Sequence, residues 1–300
     1  MKNRALAGAA LATMFTSAFA FTPAASVETE AVPRPLTGEA VYFAYNHGFS
    51  VDRYVPRKGF VRIGAPSDNS QFAASPDGRK VAWVTQRGEV KVKAGTRVTT
   101  VARNVPTGIP CLTPAWSPDS KQVAFVATAK ADAVTVVNAD GTGGHKAGKT
   151  PGVCHLTWSG GGRYLAGYTG TADAVYKLDL KTGKPAKVKG TRAVTHVQSL
   201  SPDGRRVIVN VVPVGQPTGD GGWPTAFRPT IVDTVSGEKV AISVKGRLLG
   251  AFYLPDGRLV VRVAGTTRNT LVVLDKNGEE SQRLAEPAGA RKQGLLQVVG

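Results

Sequence analysis

The sequence has little of what several functional classes need. Only two of its 300 residues are cysteine, too few for a disulfide-dense scaffold or a four-thiolate zinc site. Acidic residues are scarce, at 21 against 38 lysines and arginines, so the chain is strongly basic. After residue 26 no run is apolar enough to span a bilayer, and no segment shows a convincing 3.6-residue apolar period. We therefore expect neither a membrane span nor a helical fold in the mature chain.

The first 26 residues predict an export signal, which leaves residues 27–300 as the mature chain. Lys2 and Arg4 give a positive start, and an uncharged apolar run then leads to a small-residue cleavage site at 18–20. We expect a soluble protein outside the cytoplasm, either secreted or periplasmic.

The predicted compartment changes the interpretation of the two cysteines. In an oxidising environment, Cys111 and Cys154 are either two buried thiols or one disulfide. We favour the disulfide, because export selects against idle thiols. It would stabilise the fold by about 3–4 kcal/mol in the chain-entropy model.

A short marker recurs along the mature chain. The motif Ser-Pro-Asp-Gly, or a variant of it, returns every 42 residues from Ser75 and then once more after 53, while a degraded first copy precedes it. The six units are marked near Pro35, Ser75, Ser117, Ser159, Ser201 and Leu254. Repeats of about 40–45 residues are typical of β-propeller blades.

Each unit reads as strands joined by tight turns. In the third unit, apolar segments at 123–126 and 134–137 precede an Asp-Gly hairpin turn at 140–141. The first unit lacks an inner strand, and a strand-like tail at 294–299 belongs to no unit. The sequence therefore predicts an all-β fold: a six-bladed β-propeller of four-stranded antiparallel blades, closed by a C-terminal strand that joins the first blade.

The repeats resemble the Trp-Asp-like repeats of TolB-type propellers. The resemblance rests on Ser-Pro-Asp-Gly-Arg at 75–79, the alternating apolar strand behind it and the later Asp-Gly turn, and it covers nearly all of the mature chain. It implies a propeller scaffold of a kind found in exported binding proteins and in the non-catalytic halves of peptidases. Function on such a scaffold depends on its loops.

Residues that follow the period are expected to be structural. Trp116 and Trp158 each precede a repeat serine and are expected in the core between blades. Most acidic residues also follow the repeat, where a carboxylate can accept backbone N–H bonds in a turn. These include Asp77, Asp119, Asp203 and Asp256.

Residues that break the period are the candidates for function. The fifth unit contains an inserted loop with Trp223, Phe227 and Arg228, residue types that are enriched at binding hot spots. The loop with Tyr45 and His47 is expected on the same rim. We expect a non-catalytic binding module, a monomer without cofactor, that recognises a protein or cell-envelope partner and not nucleic acid. Alternatively, the inserted loop folds back and Trp223 plugs the channel.

Catalysis and metal binding are alternative functions that fewer residues of the sequence support. Asp52 and Asp220 do not follow the period and offer the carboxylate pair of a glycan hydrolase or lyase. His155 and His196 lie on inner strands of neighbouring units, where both can approach the channel. Two imidazoles with a carboxylate can hold a metal, but we favour histidines satisfied by carbonyl groups and water, with no metal site.

Basic residues collect on or beside the predicted fourth strands. They are Arg97, Arg103, Lys184, Lys187, Lys189, Arg192, Lys239, Lys245 and Arg247. Charged outer edges prevent aggregation between strands, and we favour that interpretation. The alternative is that these residues bind an anionic polymer of the envelope in a salt-dependent way.

Overall fold

The computed structural model describes residues 33–66, 72–107, 112–128, 132–212, 224 and 227–300. From Pro35 onward these residues form one structural unit of β-strands, and its single helical element is the 3₁₀ turn Ala288–Ala290. In this part of the chain no helix has the length and hydropathy needed to cross a bilayer.

The described residues form six four-stranded antiparallel sheets, which are the blades of a propeller. Blade 1 has β1 (Ala40–Tyr45), β2 (Phe49–Val55), β3 (Gly59–Gly64) and β24 (Gly294–Val298); blade 2 has β4 (Phe72–Ala74), β5 (Lys80–Val84), β6 (Val90–Ala94) and β7 (Arg97–Ala102). Blade 3 has β8 (Ala115–Trp116), β9 (Gln122–Val126), β10 (Ala133–Asn138) and β11 (His145–Lys149); blade 4 has β12 (Val153–Trp158), β13 (Tyr164–Thr169), β14 (Val175–Asp179) and β15 (Lys184–Val188). Blade 5 has β16 (Val194–Leu200), β17 (Arg206–Val211), β18 (Pro229–Asp233) and β19 (Lys239–Val240); blade 6 has β20 (Leu248–Tyr253), β21 (Leu259–Val263), β22 (Thr270–Leu274) and β23 (Glu280–Ala285). The predicted six-bladed fold is confirmed.

Strand β24 closes the ring, as the sequence predicts. It pairs with β1 in antiparallel register, with Val298 opposite Ala40 and Leu295 opposite Tyr42 across a bulge. Blade 1 therefore takes its inner strand from the end of the chain and its other three strands from the beginning. The edge that β1 would otherwise expose is paired.

The antiparallel order gives the ring two distinct ends. The Ser-Pro-Asp-Gly turns between first and second strands share one end with the turns between third and fourth strands; we call it the turn face. The opposite end carries the connections between second and third strands and those between blades; we call it the loop face. Inner and second strands are largely buried, whereas outer strands such as β15 are exposed.

The repeat turns are held by side-chain bonds to the backbone. In three turns the serine hydroxyl donates to the aspartate two residues later: Ser75 to Asp77 (2.5 Å), Ser117 to Asp119 (2.6 Å) and Ser201 to Asp203 (2.6 Å). The Ser117 hydrogen bond and the Lys121 N–H lower the pKa of Asp119, against the opposing effect of partial burial. The periodic aspartates are therefore parts of turns.

The blade 4 turn replaces Pro-Asp with glycine for a steric reason. An ideal Cβ on Gly161 would lie 2.3 Å from the carbonyl oxygen of Pro202 in blade 5, and one on Gly160 would lie 2.8 Å from Cα of Pro255 in blade 6. Both distances are shorter than the contacts that real Cβ atoms make with other heavy atoms. Gly160 and Gly161 therefore allow this turn to pack against two other turns.

Restoring the repeat motif at this turn should destabilise the protein. We expect Gly161→Asp to lower the free energy of unfolding by about 1–3 kcal/mol, because the backbone must move to admit the side chain. Urea unfolding measures this change. The control is Gly144→Ala, where the nearest atom to the added Cβ is 3.7 Å away and the φ angle is not positive. Equal stability of both variants would contradict this explanation of the glycines.

A buried ion pair holds the segment that leads into β24. Arg262 and Glu286 are both buried; the guanidinium donates from Nε (3.0 Å) and Nη2 (2.9 Å) to the carboxylate. It also donates to the carbonyl groups of Ala290 (2.9 Å) and Gln293 (2.8 Å). The Tyr42 hydroxyl donates to Glu286 (3.2 Å), and burial raises the pKa of Tyr42 above its usual range. The network thus joins blade 6, the segment before β24 and β1.

Candidate functional site

A cavity of about 290 Å³ lies where the inner strands end at the turn face. All six blades contribute to its wall, since the lining includes Ala74 (β4), Trp116 (β8), Trp158 (β12), Ser199 (β16), Tyr253 (β20) and Leu296 (β24). Residues from several turns surround them, among them Asp77, Asp119, Gly160 and Pro255. The cavity is therefore the turn-face mouth of the central channel.

Aromatic side chains give the cavity apolar surface. The indole N–H of Trp116 donates to the carbonyl oxygen of Ala73 (3.1 Å), and that of Trp158 donates to Gly162 (2.8 Å). Trp116 lies in a buried cluster with residues of blades 2 and 3, and the partly buried Trp158 packs against a cluster from blades 3, 4 and 5, so both lie in the core between blades as predicted. Burial raises the pKa of Tyr253, so its hydroxyl stays protonated at neutral pH. Rings fixed in this way are suited to contact an apolar side chain of a ligand.

The uncharged polar groups of the cavity connect blades 5 and 6. Gln198 accepts the N–H of Ala251 at Oε1 (2.8 Å), and the Ser199 hydroxyl accepts the N–H of Tyr253 (2.9 Å). The first of these bonds holds the Gln198 side chain by its carbonyl oxygen. Its amide –NH₂ group has no acceptor among the described residues, so it can donate to a ligand.

The charge at the cavity differs from that of the whole chain. Asp77 and Asp119 are the charged residues of the described lining, although the protein has a formal net charge of +17. Lys80 lies 2.9 Å from Asp77, while Lys121 lies 3.9 Å from Asp119 and leaves that carboxylate largely exposed. The mouth therefore favours neutral or basic groups over anions.

The sequence did not single out this cavity. Its wall is made of residues about 42 positions apart, each of which looks like an ordinary repeat position. A signal was nevertheless present, because inner strands of a propeller converge and their ends face the same channel. The polar residues Thr157, Gln198 and Gln297 at those ends could have been compared across units.

The predicted rim residues lie at the loop face. Tyr45 is 70% exposed and its ring packs against Phe49 at 5.0 Å between centroids, and His47 is also exposed. Arg228 is exposed, and its N–H bonds to the side chain of Asn210 (2.9 Å). Trp223 lies outside the described residues.

Of the predicted carboxylate pair, only Asp52 lies among the described residues. Asp52 is in β2 and its Oδ1 accepts a hydrogen bond from Arg62 Nε at 2.5 Å, with only 13% of its side chain exposed. Asp220 lies outside the described residues. The Asp52 carboxylate is thus paired with the neighbouring Arg62.

The two predicted histidines are brought together inside the ring. His155 and His196 are buried on β12 and β16, with 4.5 Å between ring centroids. Tyr168 stacks on His155 (5.6 Å), and Phe227, itself buried, meets His196 edge-on (5.9 Å). Aromatic rings thus surround the pair. In the part of the chain that is described, no cluster of three or more His, Cys, Asp or Glu side chains could hold a metal ion.

Comparison with known proteins agrees with this architecture. No model of a known protein family matches the sequence, and no curated protein matches it. TolB from Acinetobacter baumannii is 17% identical with a TM-score of 0.58, over 89% of this chain and 69% of that one. The chain has the β-propeller fold that TolB also has.

Two other solved structures contain a chain with a similar ring. A chain of a nidogen/laminin complex is 9% identical with a TM-score of 0.52, over 87% of this chain and 100% of its own length. A chain of hydrazine synthase from Kuenenia stuttgartiensis is 16% identical with a TM-score of 0.50, over 87% and 90%. At these identities the likeness establishes the fold, and this fold serves unrelated functions.

Proposed function

We propose that this TolB-like propeller is an exported binding module that holds a short extended segment of a partner protein in the turn-face cavity. The observation that carries the proposal is the cavity itself, a concave site to which all six blades contribute. Its volume of about 290 Å³ is at the small end of ligand pockets. It suits one or two side chains of a larger partner.

The chemistry of the wall defines the segment that fits. Trp116, Trp158 and Tyr253 offer aromatic surface for an apolar or aromatic anchor. The Gln198 amide can donate to a backbone carbonyl of the segment. Asp77 and Asp119 at the mouth favour a neutral or basic segment. Binding energy comes from the anchor, and the acidic residues supply selectivity.

The structural relatives support binding as a use of this fold. The nidogen/laminin structure is a complex, and one of its chains has a similar ring. The hydrazine synthase structure places the same ring in an enzyme, so the fold alone does not decide the function. The proposal rests on the cavity.

A blocked cavity should weaken binding strongly without unfolding the protein. Peptides selected from a random displayed library on the wild-type protein are the probe. We expect Thr157→Arg, which places a long cation in the cavity wall, to weaken the best peptide at least about tenfold. Thr267→Arg adds the same side chain on the exposed loop face and should leave affinity within about twofold. Equal effects of both variants, with melting temperatures unchanged, would contradict the cavity site.

The rim at the loop face is a second proposed site for the same function. The exposed Tyr45 and His47 favour it, together with Arg228, and the proposal extends to Trp223. A glycan hydrolase or lyase is not favoured, because Asp52 is bound to Arg62. No cofactor or metal is part of the proposal, and the protein is proposed to act as a monomer.

Export and the disulfide are tested together. Cys154 is buried in β12, and Cys111 lies outside the described residues, so their pairing stays a prediction. We expect the chain expressed with its leader to appear outside the cytoplasm, cleaved near residue 26. Its intact mass should be lower by two hydrogens than after reduction. A full-length cytoplasmic product with two reactive thiols would contradict both predictions.

A further inference from the structure

The two carboxylates that line the turn-face cavity are not equivalent. Asp77 pairs with the Lys80 ammonium at 2.9 Å. That ammonium also donates to the carbonyl oxygen of Ser120 (3.0 Å) and lies 5.8 Å from the ring centroid of Trp116, so it is held between blades 2 and 3. The charge of Asp77 is therefore balanced within the protein by a lysine that has three partners.

The Asp119 carboxylate keeps one oxygen for a ligand. Its Oδ1 accepts the Ser117 hydroxyl (2.6 Å) and the N–H of Lys121 (3.1 Å), and the Ser117 bond is the main cause that lowers the pKa of Asp119. Its Oδ2 accepts no hydrogen bond from the described residues, and the Lys121 ammonium lies 3.9 Å from it. The Lys121 side chain is 79% exposed and that of Asp119 57%, and an ion pair so open to water is weak. A cation of a ligand can therefore replace Lys121 at this oxygen.

The surroundings of Asp119 favour a guanidinium over an ammonium group. Asp119 belongs to the turn of blade 3, and Trp158 ends the inner strand β12 of blade 4; both line the cavity. A guanidinium is planar, so it can lie on an aromatic ring while its edge donates hydrogen bonds to a carboxylate. An ammonium is a compact point charge without a flat face, and it binds its water more strongly. Arginine is therefore the basic residue that suits this mouth.

We propose that the partner segment carries an arginine whose guanidinium pairs with Asp119 at the cavity mouth and displaces Lys121. This inference rests on the proposed function, because it names the charged residue of the segment that the cavity holds. Asp119 is then the residue that selects the arginine, while Lys121 competes with it. Since the mouth is open to water, the pair adds selectivity more than affinity, and the apolar anchor still supplies most of the binding energy.

A double-mutant cycle between the protein and a peptide tests the pairing. The probe is a cavity-binding peptide selected from the displayed library, made again with citrulline, a neutral analogue of arginine, in place of each arginine in turn. We expect Asp119→Asn to weaken the arginine peptide about fivefold at low salt and to leave one citrulline peptide within about twofold. Asparagine keeps the oxygen that accepts from Ser117 and from the N–H of Lys121, so the turn should persist.

The variant Asp203→Asn is the matched control. Asp203 has the same turn position in blade 5, where it accepts the Ser201 hydroxyl (2.6 Å) and the N–H of Arg205 (2.9 Å), but it does not line the cavity. Its replacement removes the same charge and should change the affinity for the arginine peptide less than about twofold. Lys121→Gln removes the competing ammonium, so it should strengthen the arginine peptide about two- to threefold, opposite in sign to Asp119→Asn.

The outcomes separate this inference from the proposed function. Peptides that Thr157→Arg blocks but that contain no arginine, or that Asp119→Asn does not weaken, would overturn the pairing and leave the cavity function standing. Equal losses from Asp119→Asn and Asp203→Asn would mean that net charge alone is responsible, and unchanged affinity with lysine in place of the coupled arginine would contradict the choice of arginine; either result overturns the inference. Peptides that Thr157→Arg does not block, or a library that yields no binding peptide, would count against both proposals.

Discussion

Replacing Glu286 with leucine is expected to lower the free energy of unfolding by about 3–5 kcal/mol. The substitution leaves the Arg262 guanidinium buried without its carboxylate, and arginine cannot lose its proton to escape the cost. The carbonyl groups of Ala290 and Gln293 still accept from it, but they carry no net charge. Urea unfolding followed by tryptophan fluorescence measures the loss.

The double variant Arg262→Met/Glu286→Leu separates the ion pair from the packing around it. Because no charge is then left buried, we expect the double variant to be more stable than Glu286→Leu alone. As a control, Glu280→Leu breaks the exposed pair with Arg283 and should cost less than about 1 kcal/mol. A Glu286→Leu protein as stable as Glu280→Leu would show that the buried network does not hold the closing segment.

Ending the chain at Gln293, which removes β24, is expected to abolish the cooperative fold. Leu295 and Val298 are buried, and their side chains alone contribute about 3–6 kcal/mol. The edge of β1 would also be left without its partner, which favours pairing between molecules. Gel filtration and circular dichroism should show aggregates in place of a monomeric β protein.

A circular permutant is the matched control for the truncation. The two ends of the propeller are adjacent, since an ideal Cβ on Gly300 would lie 2.9 Å from Cδ2 of Leu36. Joining Gly300 to Pro35 and opening the exposed turn between Gly95 and Thr96 keeps the 24 strands of the described residues. We expect this permutant to fold as a monomer. A folded truncated chain, or an unfolded permutant, would contradict closure by β24.

The fold could be predicted because its determinants are periodic. A marker that returns every 42 residues gives the number of blades, and a strand-like tail without a unit identifies the closing strand. In the sequence the Gly160–Gly161 turn is only a variant of the marker at the expected interval. Its cause is a contact with Pro202 and Pro255, in two other blades, which no local pattern reveals.

The site could be predicted only in part. His155 and His196 were expected near the channel from their equivalent positions, and they do meet inside the ring. The cavity around Trp158 depends on six strands converging in space, so the pattern of a single unit does not predict it. The Arg262–Glu286 pair likewise follows no repeat position, because it belongs to the closure of the ring.

Site-directed photo-crosslinking tests the central functional claim most directly. A photoreactive residue replaces Thr157 in the cavity wall or Tyr45 on the loop-face rim, and each protein is irradiated in the cells that produce it. The account predicts a discrete protein adduct from position 157 that disappears when Gln198→Arg also blocks the cavity. A protein adduct from position 45, with none from position 157, would contradict it.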